Sequence, residues 1–199
     1  MSGPPHRRGL RPPSRLRRAG VLAALLAFGC GAGAAPQPEP PAAELPPPGP
    51  RRVFAYETLD GKELSTATLA GRISVLGFVT TYDLASQAQV RFLAGLLREH
   101  TPRLNVALLV LEAPENRPMV EAFAASLKLP YPVALADAPT IAGQGAFAGL
   151  HHVPSVVILD REGREAHRQL GLVTQDALEE LIQRVERAGR GPAARPASR

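Results

Sequence analysis

Hydrophobic residues along this chain gather first in three short, nearly unbroken runs. They are ISVLGFV at 73–79, NVALLVLE at 105–112 and SVVILD at 155–160. Apolar runs of this length are typical of strands that are buried on both faces. The weaker segments YPVALA, at 131–136, and REAHRQLG, at 164–171, predict a short extended piece and a less buried strand.

Three other stretches have the hydrophobic period of a helix, in which residues three and four apart share a face. The first runs from about Leu84 to His100. The apolar positions that share a face are Val90, Leu93 and Leu97 in the first stretch, Val120, Phe123, Ala124 and Leu127 in the second, and Leu178, Leu181, Ile182 and Val185 in the last.

The order of these segments predicts an α/β fold. Two strand–helix units come first, followed by the short extended piece, a hairpin closed by the turn REG at 161–163, and the last helix. Strands joined through helices run parallel, whereas the strands of a hairpin run antiparallel. We therefore expect a central mixed β-sheet flanked by helices.

Residues 1–29 predict a signal peptide of the lipoprotein type, because an arginine pair precedes the apolar stretch AGVLAALLAFG, which is too short to span a bilayer. In one interpretation LAFGC is a lipobox, Cys30 is lipidated, and the protein is anchored on the periplasmic side of a bacterial membrane. In another, Ala32-Gly33-Ala34 is a cleavage site and the protein is soluble in the periplasm or secreted. A third interpretation is that the leader is an uncleaved signal anchor. The chain's only cysteine is therefore acylated in the first interpretation and removed with the leader in the second.

Composition divides the rest of the chain at two points. Residues 30–50 include PQPEPPAAELPPPGP and predict a proline-rich linker, which is extended and semi-rigid. Residues 51–188 hold every predicted strand and helix and form the predicted domain. Residues 189–199, GRGPAARPASR, have no apolar period and predict a disordered basic tail.

The net charge of +5 comes from the leader. Residues 1–29 contain six arginines and no acidic residue, so the remaining chain has 17 basic and 18 acidic side chains. The sequence pI of about 10.1 therefore does not describe the predicted domain. We expect no nucleic-acid partner, because the net basicity belongs to the leader and the rest of the chain is close to neutral.

Two segments resemble a known family. LDGKELSTATLAGRISVLGF, at 59–78, has a DGK turn, a polar segment and an L-x-G-(K/R) step before a strand, and HHVPSVVILDREGR, at 151–164, has a Val-Pro-Ser step before a hairpin. Over residues 53–187 the chain resembles the thioredoxin-like, extracytoplasmic thiol–disulfide oxidoreductases of the TlpA/ResA (redoxin) type. Peroxiredoxin-like redoxins share much of this layout. The resemblance implies a thioredoxin-like fold with a cis bond between Val153 and Pro154.

The chain departs from that family where the redox chemistry lies. The family pattern is an aromatic residue, then C-x-x-C, then an acid three residues beyond the second cysteine. Tyr82 matches the aromatic residue, but Asp83 and Ser86 stand at the cysteine positions, with Leu84-Ala85 between them, and Gln89 stands at the acid. Thiol exchange needs a thiolate and a second sulfur, so we expect neither this activity nor a peroxidase activity.

Other chemistry at these positions has little support in the sequence. Asp83, or Ser86 if the helix begins later, is expected to be an N-cap. Ser86 lacks the nucleophile elbow of a hydrolase. His151 and His152 are adjacent in an extended segment, so their side chains point to opposite sides and do not suit one metal ion. We expect no metal site and no cofactor.

The sequence retains the surface on which proteins of this fold bind peptides. The resemblance implies that Tyr82, Val153 and Pro154 line a shallow groove, in which the backbone beside the proline pairs with an extended peptide. We therefore expect a non-catalytic module that binds a protein or peptide. The alternatives are a divergent redox-family member with residual or non-thiol enzymatic activity, and an architectural domain without a client.

Overall fold

The computed structural model describes residues 45–190, which belong to one compact unit. The predicted leader, Cys30, most of the predicted linker and the tail after Arg190 lie outside the described residues. The strands are β1 (Ala55–Glu57), β2 (Glu63–Ser65), β3 (Ile73–Val79), β4 (Leu104–Val110), β5 (Val133–Leu135), β6 (Ser155–Leu159) and β7 (Glu165–Leu170), and the helices are α1 (Leu84–His100), α2 (Arg117–Leu127), α3 (Ala138–Ile141) and α4 (Gln175–Gly189). Within these residues, no helix has both the length and the apolar character needed to cross a membrane.

Five of the strands form one mixed sheet in the order β5-β4-β3-β6-β7. β3, β4 and β5 run parallel, whereas β6 is antiparallel to both of its neighbours. β1 and β2 form a separate antiparallel pair. The predicted α/β class, with a mixed sheet flanked by helices, is therefore confirmed.

Alternate residues of β3 enter two different cores, which explains why the run is apolar except at Ser74 and Gly77. Val75 and Val79 pack into the larger hydrophobic cluster together with side chains of α1, α2 and α4. Leu76 and Phe78 pack into the smaller cluster on the other face, together with side chains of β1, β2 and Phe147. All four β3 side chains are fully buried. A strand that is covered on both faces needs no polar alternation.

Both outer strands of the sheet are partly covered by chain that precedes β3. Beside β7, the N–H of Gly49 donates to the carbonyl of Glu165 over 2.9 Å. Beside β5, the N–H of Leu59 donates to the carbonyl of Val133 over 2.8 Å. Leu45 packs against the larger cluster. The packed part of the chain therefore begins before residue 51, where the composition placed the start of the domain.

The structure also contains elements that the hydrophobic pattern does not predict. β1 and β2 have three residues each, and α3 has four. Segments this short contain too few positions to establish a period. The second predicted strand ends earlier than expected, at Val110, so Glu112 lies beyond β4. By contrast, β3 and α1 begin and end at the predicted residues.

Candidate functional site

The loop between β3 and α1 lies at the end of the sheet where the parallel strands finish. β3 ends at Val79 and α1 begins at Leu84. Phe78 is paired with Ser155 of the antiparallel strand β6, and Ser155 with Leu170 of β7, so the segments before β6 and after β7 lie at the same end. The surface formed by residues 80–84, 151–154 and 170–173 is called the junction face below.

Asp83 is the N-cap of α1, which is the role predicted from the sequence. Its carboxylate accepts hydrogen bonds from the backbone N–H of Ala85 over 3.3 Å and of Ser86 over 2.8 Å, and from the Ser86 hydroxyl over 2.8 Å. The Ser86 hydroxyl is the main cause that lowers the pKa of Asp83 below its usual value, and the backbone N–H groups lower this pKa further. The junction thus keeps a negative charge at the positive end of the helix dipole, without a thiolate.

Ser86 is fully buried, and its hydroxyl has a partner on each side. It donates to Asp83 and accepts from the backbone N–H of Thr80 over 3.3 Å. A serine nucleophile needs an accessible oxygen and a base that takes its proton. His151 and His152 are both exposed, and in the described structure neither hydrogen-bonds to Ser86. The hydroxyl therefore fastens the β3–α1 loop to the helix and is not presented to a substrate.

Gln89 stands where the family resemblance implies an acid, and it is fully buried. Its side-chain oxygen accepts from the backbone N–H of Val173 over 2.9 Å, while its side-chain nitrogen has no partner among the described residues. Two residues before Val173, the N–H of Gly171 donates to the carbonyl of Pro154 over 2.9 Å. Gln89 therefore joins α1 to the segment that holds Pro154 in place.

Glu112 belongs to the site, but the sequence pattern does not identify it, because it places Glu112 at the end of a predicted strand. Its carboxylate is buried and accepts from the backbone N–H of Thr81 over 2.6 Å and from the side-chain amide of Asn116 over 3.1 Å. This bond fixes the position of Thr81, which directly precedes Tyr82 in the chain. A local pattern could not reveal this contact, because Thr81 and Glu112 are 31 residues apart.

The junction face and its border carry most of the large apolar side chains that the described domain leaves in solvent. Seven such side chains are exposed, and five of them are here: Tyr82 (76%), Leu84 (79%), Met119 (55%), Leu170 (46%) and Leu172 (47%). Met119 lies at the border, where its sulfur accepts a hydrogen bond from Thr81 over 3.4 Å. Val153 is half-buried, Pro154 is buried, and the bond between them is cis.

Solved structures share this architecture. A DsbF homologue from Corynebacterium diphtheriae matches with a TM-score of 0.60 and 20% identity, over 67% of this chain and 85% of its own. A thiol:disulfide interchange protein of the thioredoxin family from Chlorobium tepidum matches with a TM-score of 0.59 and 20% identity, over 69% of this chain and 96% of its own. The chain has the thioredoxin-like fold. A secreted thiol-disulfide isomerase from Corynebacterium glutamicum also matches, with a TM-score of 0.58 and 19% identity, over 68% of this chain and 85% of its own. No protein-family profile matches the chain, and no curated protein matches it significantly.

The thioredoxin-like domain has no sulfur with which to exchange disulfides. The matching structures are named for thiol–disulfide chemistry, but the only cysteine of this chain is Cys30, which precedes the described residues. Within residues 45–190 the only sulfur atom is the thioether of Met119. Disulfide exchange proceeds through attack by a thiolate. The described domain therefore cannot perform this reaction by itself.

The junction face of the thioredoxin-like domain brings no set of metal ligands together. The ring of His151 lies beside Gly143, and His152 is exposed. Among the described residues, the grouping that comes nearest to a metal site is Glu99, His100 and Glu179, whose ligand atoms lie within 4.8 Å of one another. That group is at the other end of α1 from Asp83, so it takes no part in the junction.

Proposed function

We propose that the domain is a non-catalytic module that binds an extended segment of a protein on the junction face. The exposed apolar side chains that surround an open stretch of backbone support this proposal. In the described structure, neither the N–H nor the C=O of Val153 has a hydrogen-bond partner. An extended peptide satisfies such groups by lying beside them as an added strand.

The side chains exposed on the junction face also suit an extended peptide. Tyr82 is 76% and Leu172 is 47% exposed, and both offer protruding apolar contacts for alternate side chains of a bound strand.

Truncation of Tyr82 is expected to weaken peptide binding about tenfold or more, because the loss of a tyrosine at the centre of an interface often costs about 2 kcal/mol. Peptides of random sequence displayed on phage are selected against residues 40–199, and the Kd values of selected peptides are measured by fluorescence polarisation. Tyr82→Ala and Leu172→Ala test the junction face. Val53→Ala is the matched control, since Val53 is apolar, 81% exposed and lies before β1.

Two results of this experiment would contradict the proposal. One is that no peptide is enriched, which favours the architectural alternative. The other is that all three variants bind the selected peptides as tightly as the wild type, which places binding elsewhere. An insulin-reduction assay on the same protein separates the enzymatic alternative, because turnover above a protein-free control requires chemistry that the described domain lacks.

We also propose that the protein lies in the cell envelope and is anchored by a lipid on Cys30. The arginine pair, the short apolar stretch and the position of the only cysteine support this location. A similar fold in a secreted thiol-disulfide isomerase is compatible with it. Lipidation adds about 0.8 kcal/mol of membrane affinity for each buried CH₂ group, so the modified cysteine is expected to dominate attachment.

Replacement of the anchoring cysteine is expected to release the protein from the membrane. In Cys30→Ser the acceptor of the lipid is gone, so the protein should move from the membrane pellet to the soluble fraction after cell lysis and centrifugation. Ala34→Ser, four residues further along the chain, is the control and should leave the protein in the pellet. If Cys30→Ser remains in the pellet after a wash with about 1 M salt, which removes electrostatic attachment, the leader itself is the anchor and the lipoprotein interpretation is wrong.

A further inference from the structure

The end of the sheet opposite the junction face is rich in exposed arginines. They precede strands, occupy the β6–β7 turn or follow the end of α4. The exposed arginines of this end, called the arginine pole below, are Arg51, Arg72, Arg103, Arg161, Arg164, Arg187 and Arg190. β3 runs from this end to the junction face, so its seven residues separate the two by about 20 Å.

The strand register brings two of these arginines together. Ile73 and Leu104 are paired where the parallel strands β3 and β4 begin, and an arginine precedes each of them. The Arg72 guanidinium also donates to the carbonyl of Pro102 over 3.0 Å. Arg72 and Arg103 therefore lie beside each other at the start of the two central strands.

The β6–β7 turn reaches the same place from the other side of β3. The N–H of Gly71 donates to the carbonyl of Arg161 over 2.9 Å, directly before Arg72 in the chain. Arg51 forms an isolated bridge with Arg164 at the other arm of the turn. These contacts bring the turn and the segment before β1 to the arginine pole.

The last residues of α4 also lie at the arginine pole. A cavity of about 510 Å³ is lined by residues of the N-terminal segment, the turn and the last residues of α4, among them Leu45, Ile73, Arg161, Arg164 and Gly189. Arg187 and Arg190 lie on either side of Gly189 in the chain, so they extend the same basic surface.

Few acidic side chains offset this charge. Those at the pole are Asp160, Glu162, Glu186 and Glu165. The Glu165 carboxylate is ion-paired with Arg52 and Arg168, and Arg98 and Glu99 at the end of α1 offset each other. The Asp160 carboxylate accepts from the backbone N–H of Glu162 and of Arg164, so it is partly engaged by the turn. None of the seven arginines is in an ion pair with a described acidic residue. The pole therefore carries an excess of positive charge, although the domain as a whole does not.

The path of the chain indicates the partner. Leu45, the first described residue, lines the cavity of the arginine pole, and only 14 residues separate it from Cys30 in the sequence. We infer that the arginine pole binds the anionic phospholipid headgroups of the membrane to which the chain is anchored. The inference rests on the proposed location in the cell envelope. Basic residues near an anionic surface contribute additively and within a Debye length of it, and this mode of binding needs no pocket.

The experiment uses residues 40–199, which include all the described residues and both hydrophobic clusters and lack Cys30, so lipidation does not contribute. Binding is measured by co-sedimentation with phosphatidylcholine vesicles that contain or lack phosphatidylglycerol. The test variant combines Arg103→Gln, Arg161→Gln and Arg187→Gln. The control removes the same charge from exposed residues elsewhere: Lys62→Gln, Arg91→Gln and Lys128→Gln.

The wild-type domain is expected to bind only the anionic vesicles and to be released at about 1 M salt, where the Debye length is about 3 Å. The test variant should bind on the order of 100-fold more weakly, because each of the three basic residues contributes about fivefold. The control variant should lose less than tenfold. Failure to bind anionic vesicles at low salt, equal binding to neutral vesicles, or equal losses in the two variants would overturn the inference. None of these substitutions changes the junction face, so a loss of vesicle binding can be distinguished from a loss of peptide binding.

Discussion

Replacement of Gln89 by glutamate is expected to destabilise the domain by about 2–4 kcal/mol at pH 7 and by almost nothing at pH 4. The side chain is fully buried, and its only described partner is the N–H of Val173. One hydrogen bond does not replace the hydration of a carboxylate. The penalty therefore appears only when the introduced carboxyl ionises.

The direction of the pH dependence follows from this penalty. Burial raises the pKa of the introduced carboxyl above the value of about 4.3 that it has in the unfolded chain. Below that pH both states are protonated, and the variant keeps the stability of the wild type. As the pH rises from about 4.3 to the folded-state pKa, the free energy of unfolding falls by up to about 1.4 kcal/mol per pH unit relative to wild type.

Urea denaturation between pH 4 and 8 measures this difference. Gln87→Glu is the control, because it places the same charge two residues earlier on a helix position that is only half-buried. It should change stability by no more than about 0.5 kcal/mol. A loss in Gln89→Glu that does not depend on pH would show that ionisation is not its cause. No loss would show that water reaches this position. Either result would contradict the prediction.

A double replacement, Asp83→Cys with Ser86→Cys, is expected to create an internal disulfide in a domain that has no cysteine. The Asp83 carboxylate and the Ser86 hydroxyl are 2.8 Å apart, so the two side chains already converge. Residues at this spacing meet the Cα separation of a disulfide, about 4.4–6.8 Å. The start of α1 should also lower the pKa of the first thiol below its free value of about 8.5.

Mass spectrometry of the oxidised protein, residues 40–199, detects the bond as the loss of two hydrogens. The control pair, Asp83→Cys with Gln87→Cys, moves the second thiol around the helix by one residue and should oxidise more slowly. Circular dichroism verifies that both pairs are folded, because each loses the Asp83 cap. If the first pair stays reduced in strong oxidant while folded, the correspondence between Asp83-Ser86 and the family's C-x-x-C is wrong.

Much of the scaffold could be predicted because its signals are local. β3 is mostly apolar because both of its faces are covered, and α1 repeats its apolar positions with the period of a helix. The capping role of Asp83 is local too, because its partners lie two and three residues further along the chain. The sequence therefore predicted the fold class and the geometry at the start of α1.

The contacts that assemble the site could not be predicted, because they join distant parts of the chain. Glu112 reaches Thr81 across 31 residues, and Gln89 reaches Val173 across 84. Neither pair has a local pattern. Proline-rich composition likewise predicts an extended backbone but not what that backbone touches, so the packing of Leu45 against the core appears only in the folded structure.

The coverage of β5 and β7 has a consequence for the chain while it is being synthesised. An outer strand with free backbone groups can pair with a second copy and begin aggregation. Here the segment before β1 occupies part of the free side of β7, and Leu59 does the same for β5. Both covering segments precede in the chain the strands that they protect, so they have left the ribosome when β5 and β7 emerge. The proline-rich approach to the domain thus also protects the sheet from self-association, and its last residues, which cannot all donate hydrogen bonds, end the sheet instead of extending it.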